Sequence, residues 1–291
     1  MKVSGLTLGL MLASVWPVSA QLSVEVALEQ EQFLVGEAMP VAVRITNRSG
    51  QTLHFGNRPD WLAFSIESRD GFIVVKNSEV PVLGEFTLES SKVATRRVDL
   101  GPHFALARLG RYSVSATVRV TEWGAQLTSK ATDFDIIRGA RLWSQEFGVP
   151  SAPGESNQPP EVRRYTLEQA NYLSSQIRLY LRLTDSSEAR VYKVFSIGPM
   201  RSVSKPEPQL DKQSRLHVLY QDDARSYSYT IVNPDGDIML RQTYDYVNSR
   251  PRLQVNKDGK VFVLGGVRRI TTNDVPPPKT EYDEIKPPPT P

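Results

Sequence analysis

A mainly β fold built from two successive β units is what this sequence predicts, on three observations. Apolar residues recur at every second position in several short runs, polar turn signals separate those runs, and a segment of the C-terminal half overlays a second copy of itself 45 residues further on. A period of two places all apolar members of a run on one face of an extended chain, so each run is a strand with one buried face.

The clearest runs are Val41, Val43, Ile45, then Leu62, Phe64, Ile66, then Tyr112, Val114, Ala116, Val118, Val120. Between them stand Asn47-Arg48-Ser49-Gly50, Ser68-Arg69-Asp70-Gly71 and Arg108-Leu109-Gly110, residues that bond their own backbone or tolerate positive φ. Short strands spaced in this way over residues 21–140 predict an antiparallel β-sandwich.

The segment Phe33-Leu34-Val35-Gly36-Glu37-Ala38-Met39-Pro40-Val41, running on to Asn47, resembles the second-strand region of immunoglobulin-like modules of bacterial secreted proteins. It is also similar to macroglobulin-type and intracellular-proteinase-inhibitor-type sandwiches. Leu109-Gly110-Arg111-Tyr112-Ser113-Val114 resembles the approach to a late strand at which such folds place a tyrosine corner. The resemblance covers residues 22–138 and implies structural roles for Gly36, Glu37, Gly110 and Tyr112, the Tyr112 hydroxyl bonding a backbone group upstream. Val114 stands where a disulfide-bearing domain would have its second Cys, which places the chain with cysteine-free relatives. These motifs imply a fold and no activity.

Residues 141–162 read as a linker, rich in Pro, Ser and Gly from Ser151 to Pro160. Its Trp143 and Phe147 are expected to close the sandwich core from below, or to anchor the linker on one of the units. Thr166-Leu167-Glu168-Gln169 has capping-box spacing and predicts a short helix through Tyr172. Strand patterns resume with Ile177, Leu179, Leu181 and Leu183. Within residues 163–272, Pro206 to Leu219 overlays Pro251 to Leu264 with identity at five of fourteen positions. A period of about 45 resembles one propeller blade, and Asn233-Pro234-Asp235-Gly236 supplies a further hairpin turn. About 110 residues cannot close a ring, so two or three blade-like units are expected, as an open sheet or as part of a ring that another copy completes. Residues 273–291, with seven prolines among the last sixteen, read as a disordered, polyproline-like tail.

The first twenty residues carry Lys2, an apolar stretch from Leu6 to Val15 and Pro17-Val18-Ser19-Ala20, the form of a secretory signal cleaved after Ala20. With no Cys there is neither a disulfide framework nor a lipid-attachment cysteine, which suits a bacterial periplasm or exterior. No later stretch is apolar enough to span a bilayer, so the mature chain is expected to be soluble. Residues 161–272 hold 18 Lys and Arg against 12 Asp and Glu, and residues 21–140 hold 13 against 14. The second unit is thus mildly basic, without the basic stripe that nucleic acid requires.

The chain has three widely spaced histidines, His54, His103 and His217, and lacks zinc-site spacing, a Gly-x-Ser-x-Gly elbow and glycine-rich phosphate loops. His217 aligns with Phe262 of the second repeat copy and is expected to be a packed ring. Asp222-Asp223 and Asp235-x-Asp237 supply too few oxygens for calcium, so no metal and no cofactor are expected. Seven of the eleven tyrosines fall within residues 180–246 among several arginines. Tyr with Arg is the composition of recognition surfaces, and the candidate binding residues are Tyr180, Arg182, Tyr220, Tyr227, Tyr229, Arg241, Tyr244, Tyr246 and Arg250; packing in strands is the other use of such tyrosines. The expected function is an exported, non-enzymatic binding or scaffold protein that contacts an envelope protein or polysaccharide. Its rivals are a propeller-type glycan hydrolase, lyase or accessory subunit, and a proteinase inhibitor.

Overall fold

The computed structural model describes residues 21–150, 161–173 and 176–276. The predicted signal, the Pro-rich stretch 151–160 and the tail from 277 onward lie outside the described residues. The fold is mainly β, and among the described residues no helix is long and apolar enough to cross a membrane.

The first unit has ten strands: β1 (Leu22–Leu28), β2 (Gln32–Leu34), β3 (Pro40–Asn47), β4 (Leu53–Phe55), β5 (Leu62–Ser68), β6 (Phe86–Leu88), β7 (Val93–Asp99), β8 (Gly110–Val120), β9 (Ala125–Thr128) and β10 (Thr132–Ile137). One sheet runs β1-β3-β7 and the other β2-β10-β8-β5, with β9 on β8 and only β2 parallel to its neighbour. The three period-two runs supply the core between the sheets, and Val41, Val43, Ile45, Val114, Ala116 and Val118 are fully buried. The Tyr112 ring is buried on Phe134, and its hydroxyl donates to Arg108 O at 2.5 Å, four residues upstream. Tyr112→Phe is expected to destabilise the protein by about 1 kcal/mol, the worth of one hydrogen bond. An unchanged midpoint in chemical denaturation would show that this bond contributes nothing.

The second unit contains β11 (Ala140–Gly148), β12 (Val162–Leu173), β13 (Gln176–Asp185), β14 (Val191–Pro199), β15 (Glu207–Leu210), β16 (Leu216–Gln221), β17 (Ser226–Val232), β18 (Ile238–Asp245), β19 (Arg252–Val255), β20 (Val261–Leu264) and β21 (Val267–Arg269). Strands β11 to β14 form one antiparallel meander, β15 to β18 with β21 form a second, and β19-β20 is a hairpin. The three pack as successive layers. Leu167, Leu179, Leu181 and Ile197 of the first sheet meet Leu216, Val218 and Tyr220 of the second. The opposite face of the second sheet, with Leu219, Tyr227 and Tyr229, is covered by Leu253 and Val263 of the hairpin.

The two repeat copies are the hairpins β15-β16 and β19-β20. They share one register, Gln209 facing His217 and Gln254 facing Phe262. Their turns match as well: Ser214 (φ 59°) and Gly259 (φ 82°), 45 residues apart, hold the same left-handed position, as does Gly236 (φ 82°) of the Asn233 turn.

The structure corrects three sequence expectations. Residues 166–172 form no helix but continue β12, Thr166 to Gln169 lying between β11 and β13 and Ala170 and Asn171 pairing with β13 alone. The Thr166 hydroxyl bonds Ser144 and Glu168 bonds Arg182, so neither is free to cap a backbone. Both faces of β12 are buried, Tyr165 and Leu167 toward the second sheet and Ala170 toward the first unit, but the second face also buries polar Thr166 and Glu168, so the buried positions do not read as apolar. Residues 140–148, expected to begin a linker, are a strand of the second unit; Phe147 stacks on Tyr165 at 4.1 Å and Trp143 packs on the same core, not on the sandwich. The ordered chain also runs past residue 273, because Val275 and Arg241 exchange both backbone hydrogen bonds.

The two units meet where Leu34 and Ile137 pack on Ala170, Tyr180 and Val194. Gly36, at φ 81°, turns the chain there and sets Glu37 against the second unit. Glu37 accepts the Leu34 N–H at 2.8 Å and a Gln30 amide N–H at 3.0 Å. Burial raises its pKa to about 7, although those two hydrogen bonds and the nearby Arg178 and Arg182 pull the other way.

Candidate functional site

Polar groups in an all-β core are ordinarily satisfied by their own sheet, so a place where several are left without protein partners is where a ligand or ordered water binds. The described residues show such a place in a cleft of about 520 Å³ between the two meanders of the second unit. Its walls come from separate strands. β13 supplies Arg178, β14 supplies Ser196 to Pro199, and β16 with the turn after it supplies Tyr220 and Asp222; β17 adds Ser228, β18 adds Arg241 and Thr243, and Arg269 and Thr271 close one end. Gly198 keeps the cleft's floor in place, since a Cβ there would lie 2.4 Å from the Tyr220 hydroxyl.

The charges are unbalanced. Arg269 is matched by Asp245 at 2.9 Å. Among the described residues neither Arg178 nor Arg241 has a carboxylate partner. The Arg241 guanidinium donates only to Ile197 O, at 3.1 Å, and that of Arg178 lies 3.5 Å over the Tyr172 ring. Asp222 accepts from Ser228 Oγ at 2.7 Å through Oδ2, while its buried Oδ1 has no partner. The buried Nε atoms of Arg178 and Arg241 and Ser196 Oγ are unpartnered too. Leaving a buried donor or acceptor unsatisfied costs about 1–3 kcal/mol each, so a ligand or ordered water that pairs with them is strongly favoured. Burial pushes the Tyr220 phenol up to about 12, which keeps its proton in place as a donor at neutral pH.

A second cleft of about 480 Å³ lies at the junction, lined by Phe33, Val35, Phe104, Leu106 and Tyr192 among others. Its polar groups are already engaged: Glu37 as described, Asp99 by the N–H groups of Met39 and Gly101, and Lys193 by Asp237. It therefore offers an apolar wall with no free group to orient a ligand.

The predicted binding residues do not share one face. Tyr180 is buried at the junction with its hydroxyl unpartnered, and Arg182 is paired with buried Glu168. Tyr227 and Tyr229 are buried under the hairpin and Tyr244 is half-buried beside them. Tyr246 and Arg250 are exposed, and Arg250 lies over the Tyr227 ring. Only Tyr220 and Arg241 come together in the cleft. Arg178, Asp222, Ser196, Ser228 and Thr243 complete it, and no sequence pattern links these seven residues because they come from five strands and the turn after β16.

The acidic pairs considered for metal are used otherwise. Asp235 pairs with Arg163 at 3.0 Å and Asp237 with Lys193 at 2.7 Å. Among the described residues no three His, Asp or Glu side chains converge on a metal position. His217 is buried as a linked group, its Nδ1 2.6 Å from Tyr229 Oη and its Nε2 3.1 Å from Asp211 Oδ2.

No family model and no curated protein matches the chain. Among solved structures it is similar to the crystal structure of Spo0M, sporulation control protein, from Bacillus subtilis, with a TM-score of 0.31 and 9% identity over 61% of this chain and 91% of that one. So distant an alignment assigns no role to any residue.

Proposed function

We propose that the chain is an exported, non-enzymatic binding protein of the bacterial envelope, periplasmic or extracellular, that takes its ligand in the cleft between the two meanders. In this reading an immunoglobulin-like sandwich carries a unit of two blade-like sheets and a third half-blade, and presents it to an envelope protein or polysaccharide. The observation that supports it is the pair of arginines, Arg178 and Arg241, that line the cleft beside the unpartnered Ser196 hydroxyl, with no carboxylate partner among the described residues. Such a site is made to bind. Among the described residues the cleft holds a single carboxylate, Asp222, so the carboxylate pair of glycoside hydrolysis is not gathered there.

Two measurements test this. Expressed with residues 1–20 in a bacterial host, the protein is expected in the periplasm or medium with Gln21 as its first residue; retention in the cytoplasm with Met1 intact would remove export from the proposal. Screened on glycan and peptide panels for both binding and product formation, the mature chain is expected to bind without turnover, and Arg241→Gln to abolish that binding. Sustained product formation by the purified chain would overturn the non-enzymatic reading.

A further inference from the structure

The unfilled groups of the cleft are of two kinds, and together they specify a ligand more narrowly than either alone. Arg178 and Arg241 call for an anion, and a guanidinium fork suits the paired oxygens of a carboxylate or phosphate. Asp222 calls for the opposite: its buried Oδ1 has no donor, and a bare anion seated beside it would be repelled. A ligand that satisfies both must carry an anionic group and, a few ångströms away, a hydrogen-bond donor, which the hydroxyls of a sugar supply. The remaining wall includes the hydroxyls of Ser196, Tyr220 and Thr243, which donate or accept as the partner requires, and that of Ser228, which donates to Asp222. A volume of about 520 Å³ lies within the range of small-ligand sites.

We propose that this cleft is a subsite for an acidic saccharide, one sugar unit placing its carboxylate or phosphate on Arg178 and Arg241 and donating a hydroxyl to Asp222. The inference rests on the reading of the chain as a binding protein and adds the chemistry of what is bound. An acidic peptide meets the arginines equally well and its backbone N–H groups can donate to Asp222, but it brings no ring hydroxyls to Ser196, Tyr220, Ser228 and Thr243, and the hexaglutamate arm of the titration separates the two ligand classes.

The test is calorimetric titration of the mature chain with hexagalacturonate, its methyl ester, a 6-phospho-oligomannoside, hexaglutamate and inorganic phosphate. Binding of at least one of the two acidic glycans is expected, the responding one showing whether carboxylate or phosphate is preferred. The neutral ester, hexaglutamate and phosphate are each expected to bind at least tenfold more weakly. Arg178→Gln and Arg241→Gln are expected to weaken glycan binding tenfold or more with the melting temperature held, and Arg178→Lys, which keeps the charge and loses the fork, to fall between. Asp222→Asn is expected to narrow the gap between glycan and phosphate.

The proposal is overturned if neither acidic glycan binds, if the ester or hexaglutamate binds as tightly as the acidic glycans, or if the folded arginine variants keep full affinity. Tight hexaglutamate binding lost in Arg241→Gln would defeat the saccharide assignment and leave the binding reading standing. Cleavage of the glycans would defeat the non-enzymatic reading and leave the subsite.

Discussion

Glu37→Gln is expected to raise stability above that of the unaltered chain at pH 8, by up to about 3 kcal/mol, and to change it little at pH 4.5. The carboxyl is half-buried between the units, and its pKa is raised from 4.5 to about 7. A raised pKa means that folding favours the protonated form. Below pH 4.5 the group is protonated in both folded and unfolded chains, and the native state bears no penalty. Between 4.5 and about 7 the unfolded chain ionises first, and above 7 the native chain must hold a partly desolvated carboxylate. A displacement of about 2.5 pK units at 1.36 kcal/mol each sets the upper limit of the loss. Gln cannot ionise, yet its carbonyl still accepts the Leu34 N–H. Chemical denaturation at the two pH values is the measurement. Glu37→Gln destabilising equally at both would show that the carboxylate is favoured at the junction and that Arg178 and Arg182 outweigh its burial.

Period-two runs located the sandwich core because each of its sheets faces the core on one side and solvent on the other, so burial alternates along β3, β5 and β8. Tyr112 was legible for a related reason: a local hydroxyl-to-backbone bond four residues long leaves a short sequence signature. The repeat was legible because the same turn geometry recurs at Ser214 and Gly259. Those signals fail in β12, where layers cover both faces and the second buried face carries polar Thr166 and Glu168, and where the spacing of Thr166 and Gln169 mimics a helix cap. The candidate site was the least legible part. Tyr220 and Arg241 stood out by composition, but Arg178 and Asp222 approach them only because two meanders stack, and stacking leaves no local trace. The same stacking explains why the tyrosine-rich stretch is chiefly interior. Tyr180, Tyr220 and Tyr227 fill three different interfaces between layers.

His217→Phe is expected to destabilise the protein by about 2 kcal/mol at pH 7.5, even though the equivalent position of the second hairpin is already Phe262. The ring is buried in a linked row with Asp211 and Tyr229. Burial alone would raise the Asp211 carboxyl, but hydrogen bonds from His217 and from Arg215 hold it below its ordinary value. An ionised carboxylate only accepts, so Nε2 carries the imidazole proton and Nδ1 accepts from the Tyr229 hydroxyl, which burial keeps protonated. Burial also lowers the His217 pKa, with Asp211 opposing it. The neutral ring's contribution is therefore complete above pH 6.5 and is lost as pH falls below that value, where the unfolded chain takes up the proton first. Phe leaves the Tyr229 hydroxyl buried and unpaired, whereas Asp211 keeps the Arg215 guanidinium at 2.6 Å and the N–H groups of Gln213 and Arg215 at 2.9 Å. Removing Tyr229's hydroxyl as well takes away the unpaired group, so the double variant His217→Phe/Tyr229→Phe is expected to lose less than His217→Phe alone, the inverse of additivity. The gap between His217→Phe and the unaltered chain is also expected to shrink below pH 6, where the unaltered chain surrenders its own contribution. A single variant as stable as the parent at pH 7.5, or a double variant losing the sum of the two single losses, would show that the row is packed like Phe262 and that its hydrogen bonds contribute nothing.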